Sequence, residues 1–248
     1  MTFEQLLLFE VTSQDRMHKK VSQKMKLVIR VGGSVVASPF NPMLMNAYVE
    51  LLLGLKRQGH VVAVVVGGGS LSRELIKTAR AMGLSEAAQD EVAISVSRVM
   101  AQLFVLRLGK HGTLTVPTNV EDAAKLLERG KIVVMGGLKP GMTTDTVAAM
   151  LAECVNADLL VKATDVDGIF TRDPKKYKDV KRLERLSFDD LFGFFEKEHH
   201  EAGIHQVIDP EAVRILQKKR IKTVVVNGFK PENVLLAVKG EKVGTLIG

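Results

Sequence analysis

From Lys26 onward the apolar positions repeat one pattern: a short run rich in β-branched residues, a glycine, then a stretch whose apolar residues recur three and four apart. Alternation of those two periods is how parallel strands joined by helical crossovers read in sequence. Five runs carry it: LVIRVGGS (Leu27 to Ser34), VVAVVVGGGS (Val61 to Ser70), KIVVMGGLKPG (Lys131 to Gly141), LLVKATDVDG (Leu159 to Gly168) and TVVVNG (Thr223 to Gly228). Val61 to Val66 is apolar throughout, which predicts a central strand covered on both faces. Helices are predicted over Met43 to Arg57, Leu71 to Met82, Ala87 to Leu108, Val120 to Arg129, Thr146 to Val155, Phe188 to Lys197 and Pro210 to Lys219. Asp209 before Pro210 supplies an N-cap followed by proline at the first helical position. The expected fold is α/β, a three-layer α/β/α sandwich around a mainly parallel central sheet. Such sheets bind ligands beyond the carboxyl ends of their strands, so the glycines that close the runs mark the edge where function is expected.

Composition narrows the class. With 46% hydrophobic and 25% charged residues and only Pro 7 in 248 residues, the chain is neither disordered nor collagen-like. The single cysteine, Cys154, can form neither an internal disulfide nor a Cys-based zinc site and points to a reducing cytoplasm. No apolar run approaches the roughly 18 residues of a membrane span. The opening MTFEQLLLFEV, with Glu4 and Glu10 around a short apolar stretch, lacks the basic start of a signal peptide. A cytoplasmic protein with no membrane partner is expected. Residues 1–24 carry no strand-plus-glycine unit and end in the polar stretch Ser13 to Lys24. They read as an N-terminal extension of unknown role: residues ahead of a start at Met25, a flexible tail, or an accessory helix on Phe3, Leu6, Leu7 and Phe9. Residues 25–248 read as one domain.

The net charge of +7 gathers in Thr171 to Arg185 and Arg214 to Lys222, with no tryptophan in the chain. Without interleaved aromatics a base-stacking platform is not expected, and no nucleic-acid partner is assigned. These runs read either as solvated faces or as a mouth that attracts phosphates.

Neither GxxxxGK[ST] nor a clean GxGxxG after a strand is present. What stands in their place is VVVGGGSLSRE, where Gly67, Gly68 and Gly69 meet a helix start and can bring backbone N–H groups to an anion, or serve only as a tight turn. Arg73 lies one helical turn further on. Arg30 sits inside a strand before Gly32, Gly33 and Ser34, and a charge on a central strand is costly to bury alone. It must either reach an anion beyond the strand end or pair with an acid. In GGLKPGMTTDT, Pro140 and Gly141 make a turn, Thr143 and Thr144 offer hydroxyls, and Asp145 falls at a helix start, where a plain capping role is the simplest reading. In KATDVDGIFTRDP, the spacing of Asp165, Asp167 and Asp173 lacks an EF-hand's twelve-residue loop and terminal glutamate. His199 and His200 fall on a polar helix end and no HExxH occurs, so no protein-held metal is expected.

These motifs in this order, GGG, then PGMTTDTVAAMLAE, then ADLLVKATDVDGIFTRDPKK, resemble the amino-acid kinase superfamily and, within it, the archaeal-type uridylate kinases. The likeness spans Met25 to Gly248. It implies a cytosolic homohexamer that moves the γ-phosphate of ATP to UMP with Mg²⁺, yielding UDP for pyrimidine nucleotide synthesis. Carried over by position, it implies that Arg30, Asp145 and Lys162 are catalytic. Gly33, Ser34, Gly69 and Arg73 would hold the ATP phosphates, and Thr164, Asp165, Phe170 and Asp173 the adenosine. Gly68, Asp90 and the loop Leu138, Lys139, Pro140, Gly141, Met142, Thr143 and Thr144 would hold UMP. The acceptor part would run to about residue 155 and the ATP part from about 156. Two positions depart from the usual pattern: Arg30 where many members have lysine, and Phe170 where tyrosine is common. Arginine keeps the charge but spreads it over a planar fork.

The chemistry agrees with what the chain lacks. A phosphate monoester has its second pKa near about 6, so UMP needs no general base, and the absence of a Ser/His pair is expected. Two other classes remain open. One is a same-fold kinase acting on acetylglutamate or isopentenyl phosphate, the latter weakened because Gly67 to Arg73 runs GGGSLSR without a histidine. The other is a non-catalytic nucleotide sensor.

Overall fold

The structure is a computed structural model that describes residues 23–172, 174, 176–177, 179–197 and 207–248, with the side chains of 194–197 excepted. The N-terminal extension up to residue 22, Asp173, His199 and His200 therefore lie outside the described residues.

All five glycine-ended runs are strands: β1 (Lys26–Val31), β2 (Val61–Val66), β3 (Val133–Met135), β4 (Leu159–Thr164) and β8 (Thr223–Asn227). The sheet runs β3-β2-β1-β4-β8-β9-β7, where β9 is Thr245–Ile247 and β7 is Arg185–Leu186. The first five strands are mutually parallel, while β9 pairs antiparallel to β8 and parallel to β7. β5 (Ile169–Phe170) and β6 (Arg182–Leu183) form a separate antiparallel pair.

Helices cover both faces. On one lie α1 (Gly33–Val36), α2 (Pro42–Arg57), α4 (Glu86–Leu108) and α9 (Glu232–Lys239), with α3 (Gly69–Ala81) packed against α4. On the other lie α5 (Val120–Glu128), α6 (Thr144–Val155), α7 (Phe188–Lys197) and α8 (Pro210–Lys219). The period-2 alternation of β1 explains the split: Leu27, Ile29 and Val31 pack with Tyr48, Leu52 and Phe104, whereas Val28 packs with Val147 and Leu151. The result is a three-layer α/β/α sandwich around a mainly parallel sheet, as the sequence pattern requires.

Alone among the described residues, α4 and the turn after it are long and apolar enough to cross a membrane. Its Ile94, Met100, Phe104, Val105 and Leu108 are buried in the protein, however, so its apolar character is in large part that of a core helix. The Asp209 cap is observed, its side chain accepting from the Ala212 N–H at 2.8 Å; Ser85, which the sequence reading did not single out, accepts from the N–H of Ala88.

Candidate active site

Strand register creates the central feature. Arg30 of β1 and Lys162 of β4 stand opposite each other, on the sheet face covered by α6. Two like charges in that position repel and need a shared anion. Asp145 supplies it from the second position of α6, where the positive end of the helix dipole also favours a carboxylate. Arg30 Nε lies 2.8 Å from Asp145 Oδ1, and Lys162 Nζ contacts Oδ2. The three side chains are only 16%, 12% and 4% exposed for Arg30, Asp145 and Lys162.

Of the two readings open for Arg30, pairing with an acid is the one observed, and its Nη2 also donates to Thr144 Oγ1 at 3.0 Å. Asp145 is correspondingly more than a cap: the cap is Thr143, which accepts from the Asp145 and Thr146 N–H groups. Burial alone would raise the Asp145 pKa, but the charges of Arg30 and Lys162 outweigh it and hold the carboxyl below its usual range. The Lys162 pKa is lowered too, down to about 8, by burial and the neighbouring Arg30, with Asp145 opposing them.

The glycine loops converge beside this cluster. A Cβ on Gly33 would lie 2.1 Å from the Gly69 nitrogen, so the first and second strand-end loops touch backbone to backbone. Gly69 has φ +66°, a conformation natural to glycine. Ser38 Oγ, which accepts from the Ser70 N–H at 2.6 Å, is also within reach of Arg73 Nη2 at 3.3 Å. At the end of β4, Thr164 donates to Asp165 at 3.2 Å, and Phe170 is half-buried on β5.

On the other side of the cluster a cavity of about 190 Å³ is lined by Gly68, Asp90, Lys139, Met142, Thr143 and Thr144, together with Ser72, Ala93, Ile94, Ser97 and Gly137. Six of the nine expected acceptor residues thus face one space. Leu138, Pro140 and Gly141 belong to the same loop without lining it, and Gly141 N–H donates to Asp90 Oδ2 at 2.7 Å.

The molecule's larger groove, about 870 Å³, opens at the opposite edge of the sheet, where β1, β4 and β8 begin. None of the expected site residues that the structure describes lines it. Arg182, Arg185, Arg220 and Lys222 do, so these members of the basic runs are exposed at the far end rather than around a phosphate mouth.

Two groups escaped the sequence reading. Asp209, expected only to cap α8, also accepts from the hydroxyls of Thr143 and Thr146, tying the starts of α6 and α8 together. Ser97 and Arg98 of α4 bond to the backbone of the acceptor loop. No local signal marks such residues, because their partners are a distant capping carboxylate and main-chain groups.

The family model of the amino acid kinase family matches residues 25–227. The chain belongs to that family. Within it, similar relatives include uridylate kinases. The protein of Methanobrevibacter smithii is 36% identical over 223 residues and that of Methanocaldococcus jannaschii 41% over 225, each alignment covering 90% of this chain and 99% of the relative. The solved uridylate kinase of Archaeoglobus fulgidus superposes with a TM-score of 0.81 at 38% identity, covering 90% of this chain and all of the other.

Proposed function

We propose that this chain is a UMP kinase, moving the γ-phosphate of ATP to UMP to give ADP and UDP for pyrimidine nucleotide synthesis. The observation that carries the reading is the meeting of two glycine loops and an acceptor cavity at one buried Arg30–Asp145–Lys162 cluster. Identity of 36% and 41% to uridylate kinases over nearly their whole length supports it.

In this reading Gly33, Ser34, Gly69 and Arg73 hold the ATP phosphates, and Thr164, Asp165 and Phe170 hold the adenosine with Asp173. Gly68, Asp90 and the 138–144 loop hold UMP. The division of labour falls at about residue 155, with the phosphate-holding glycines of the first part lying at the seam. An oxygen of the UMP phosphate, already ionised at neutral pH, attacks the γ-phosphorus. The bond from that phosphorus to the β,γ-bridging oxygen breaks, and its electron pair leaves with ADP. No proton has to be removed. Arg30 and Lys162 neutralise charge on the transferring group, and Asp145 holds both cations in place before substrate arrives.

Mg²⁺ would arrive with ATP and would supply further neutralisation of the phosphate charge, since this ion seldom takes an all-protein cage. Among the described residues no group of three or more His, Cys, Asp or Glu could hold a metal ion.

A homohexamer in the cytoplasm, with no nucleic-acid or membrane partner, completes the proposal. Exposed apolar residues on one side of the molecule, Val99, Leu103 and Leu106 on α4 and Met43 on α2, support self-association there.

The test is ADP release from MgATP with UMP, CMP, dUMP, AMP, isopentenyl phosphate or N-acetylglutamate offered in turn. Turnover well above the others with UMP is expected. Preference for another acceptor would reassign the cavity, and no turnover with any would favour a nucleotide sensor.

A further inference from the structure

The acceptor cavity has two unlike walls. One is a helix stripe, Asp90, Ala93, Ile94 and Ser97 of α4, spaced i, i+3, i+4 and i+7 so that all four face the same way. The other is the 136–144 loop, whose Gly136, Gly137 and Gly141 offer no side chains with which to pack. Something must hold this loop at a fixed distance from α4, or a ligand between them would have to order it on arrival.

The spacing is held from α4 itself. Gly136 rests directly on the helix backbone, where a Cβ would lie 2.6 Å from the Arg98 nitrogen. Gly137 N–H donates to Ser97 Oγ at 2.7 Å, and that hydroxyl donates in turn to the Ile94 carbonyl at 2.7 Å. Arg98, on the flank of the stripe and outside the cavity lining, donates through Nε to the Gly137 carbonyl and through Nη2 to the Leu138 carbonyl, both at 3.0 Å. Among the described residues no backbone N–H reaches either carbonyl outside the regular elements. A planar guanidinium can serve two successive carbonyls at once with a fixed fork, which an ammonium on a flexible stem cannot do as rigidly.

We propose that Arg98 is a positioning residue of the acceptor site: it fastens the backbone of residues 137–138 to α4, so that the loop and Asp90 stand ready on either side of the nucleoside monophosphate. The proposal rests on the UMP-kinase reading for the identity of the ligand, but the fastening itself is independent of it. Asp90 belongs to the same device, since Oδ2 holds Gly141 and the second carboxylate oxygen is left to face a ligand hydroxyl. Arg98 touches no substrate. Its loss leaves the Arg30–Asp145–Lys162 cluster and the Gly33–Gly69 contact intact, so the effect is confined to the acceptor.

The test uses the full chain with Arg98→Ala and Arg98→Lys. In Arg98→Ala, KM for UMP rises about tenfold, the scale of one lost charge-assisted hydrogen bond. KM for ATP stays within about twofold. Arg98→Lys, which can keep one of the two bonds, falls between. Hydrogen exchange of the unliganded chain reads the fastening without any substrate: amides of Gly137 to Gly141 exchange faster in Arg98→Ala, while those of β2 and β4 do not change. Should Arg98→Ala fail to fold, Arg98→Lys supplies both readouts. An unchanged KM for UMP, an equal rise in KM for ATP, or unaltered loop exchange would overturn the proposal. If the unmodified chain does not use UMP, the kinase reading fails, and the exchange measurement still decides whether Arg98 holds the loop.

Discussion

Replacing Asp145 by Asn tests the charged cluster at its centre. The substitution keeps the size of the side chain while removing the one carboxylate that, among the described residues, is in ion-pair contact with Arg30 and Lys162. Adjacent strands lie about 4.8 Å apart. At an effective dielectric near 20, two unit charges at that spacing repel by about 3 kcal/mol. Asp145 offsets that repulsion, and without it Lys162 is expected to shed its proton, because its pKa of about 8 already reflects burial and Arg30 opposed by Asp145. A deprotonated Lys162 no longer neutralises the transferring phosphate. Since 1.4 kcal/mol is about a factor of ten, 3 kcal/mol corresponds to a loss in kcat of about two orders of magnitude. Coupled ADP release with UMP and ATP varied separately measures it, and KM for ATP should shift by less than about fivefold. A folded Asp145→Asn protein with kcat within about threefold of the parent would refute the reasoning.

Four further outcomes are expected. Because Lys162 titrates near 8 in the free protein, kcat/KM for ATP should fall as pH rises through that value; a flat profile to about pH 9.5 would contradict it. The same depressed pKa means that the unfolded chain binds more protons between about 8 and the ordinary lysine value of 10.5, so the Lys162 contribution to stability should increase over that window in pH-dependent denaturation. Gly33→Ala should abolish ATP-dependent turnover and lower Tm, since its Cβ would meet the Gly69 backbone at 2.1 and 2.6 Å; Gly54→Ala, whose nearest neighbour is at 3.9 Å within α2, should leave both near or above the parent values. Asp209→Ala removes a helix cap and the acceptor of the Thr143 and Thr146 hydroxyls, so Tm should drop by several degrees, whereas Asp209→Asn, which can still cap α8, should recover most of it in a melting experiment.

The parallel core of the fold was legible because its strands are β-branched runs closed by glycine. β7 and β9 were not, since strands of two and three residues carry no period and only one of them has a glycine beside it. The four-residue α1 is too short to show a helical repeat, and α9 follows Phe229-Lys230-Pro231, which reads as a loop.

At the site, the residue types were readable but their pairing was not. Nothing local in LVIRVGGS or LLVKATDVDG states that Arg30 and Lys162 fall in register, and that register is what turns Asp145 from a cap into a shared counter-ion. Asp209 shows the same limit, because its capping role is local in sequence while its bonds to Thr143 and Thr146 span 66 and 63 residues. Arg98 looks like any arginine on a helix; its partners are carbonyl oxygens, which carry no residue identity.

The most direct test of the central claim is the fate of the phosphoryl group itself. ATP labelled at the γ-phosphorus is incubated with the protein, Mg²⁺ and UMP, and the products are separated. Label in the β-phosphate of UDP, appearing at the rate of ADP formation, is the predicted result. Label recovered as inorganic phosphate, or ATP left intact while UMP is bound, would contradict the account.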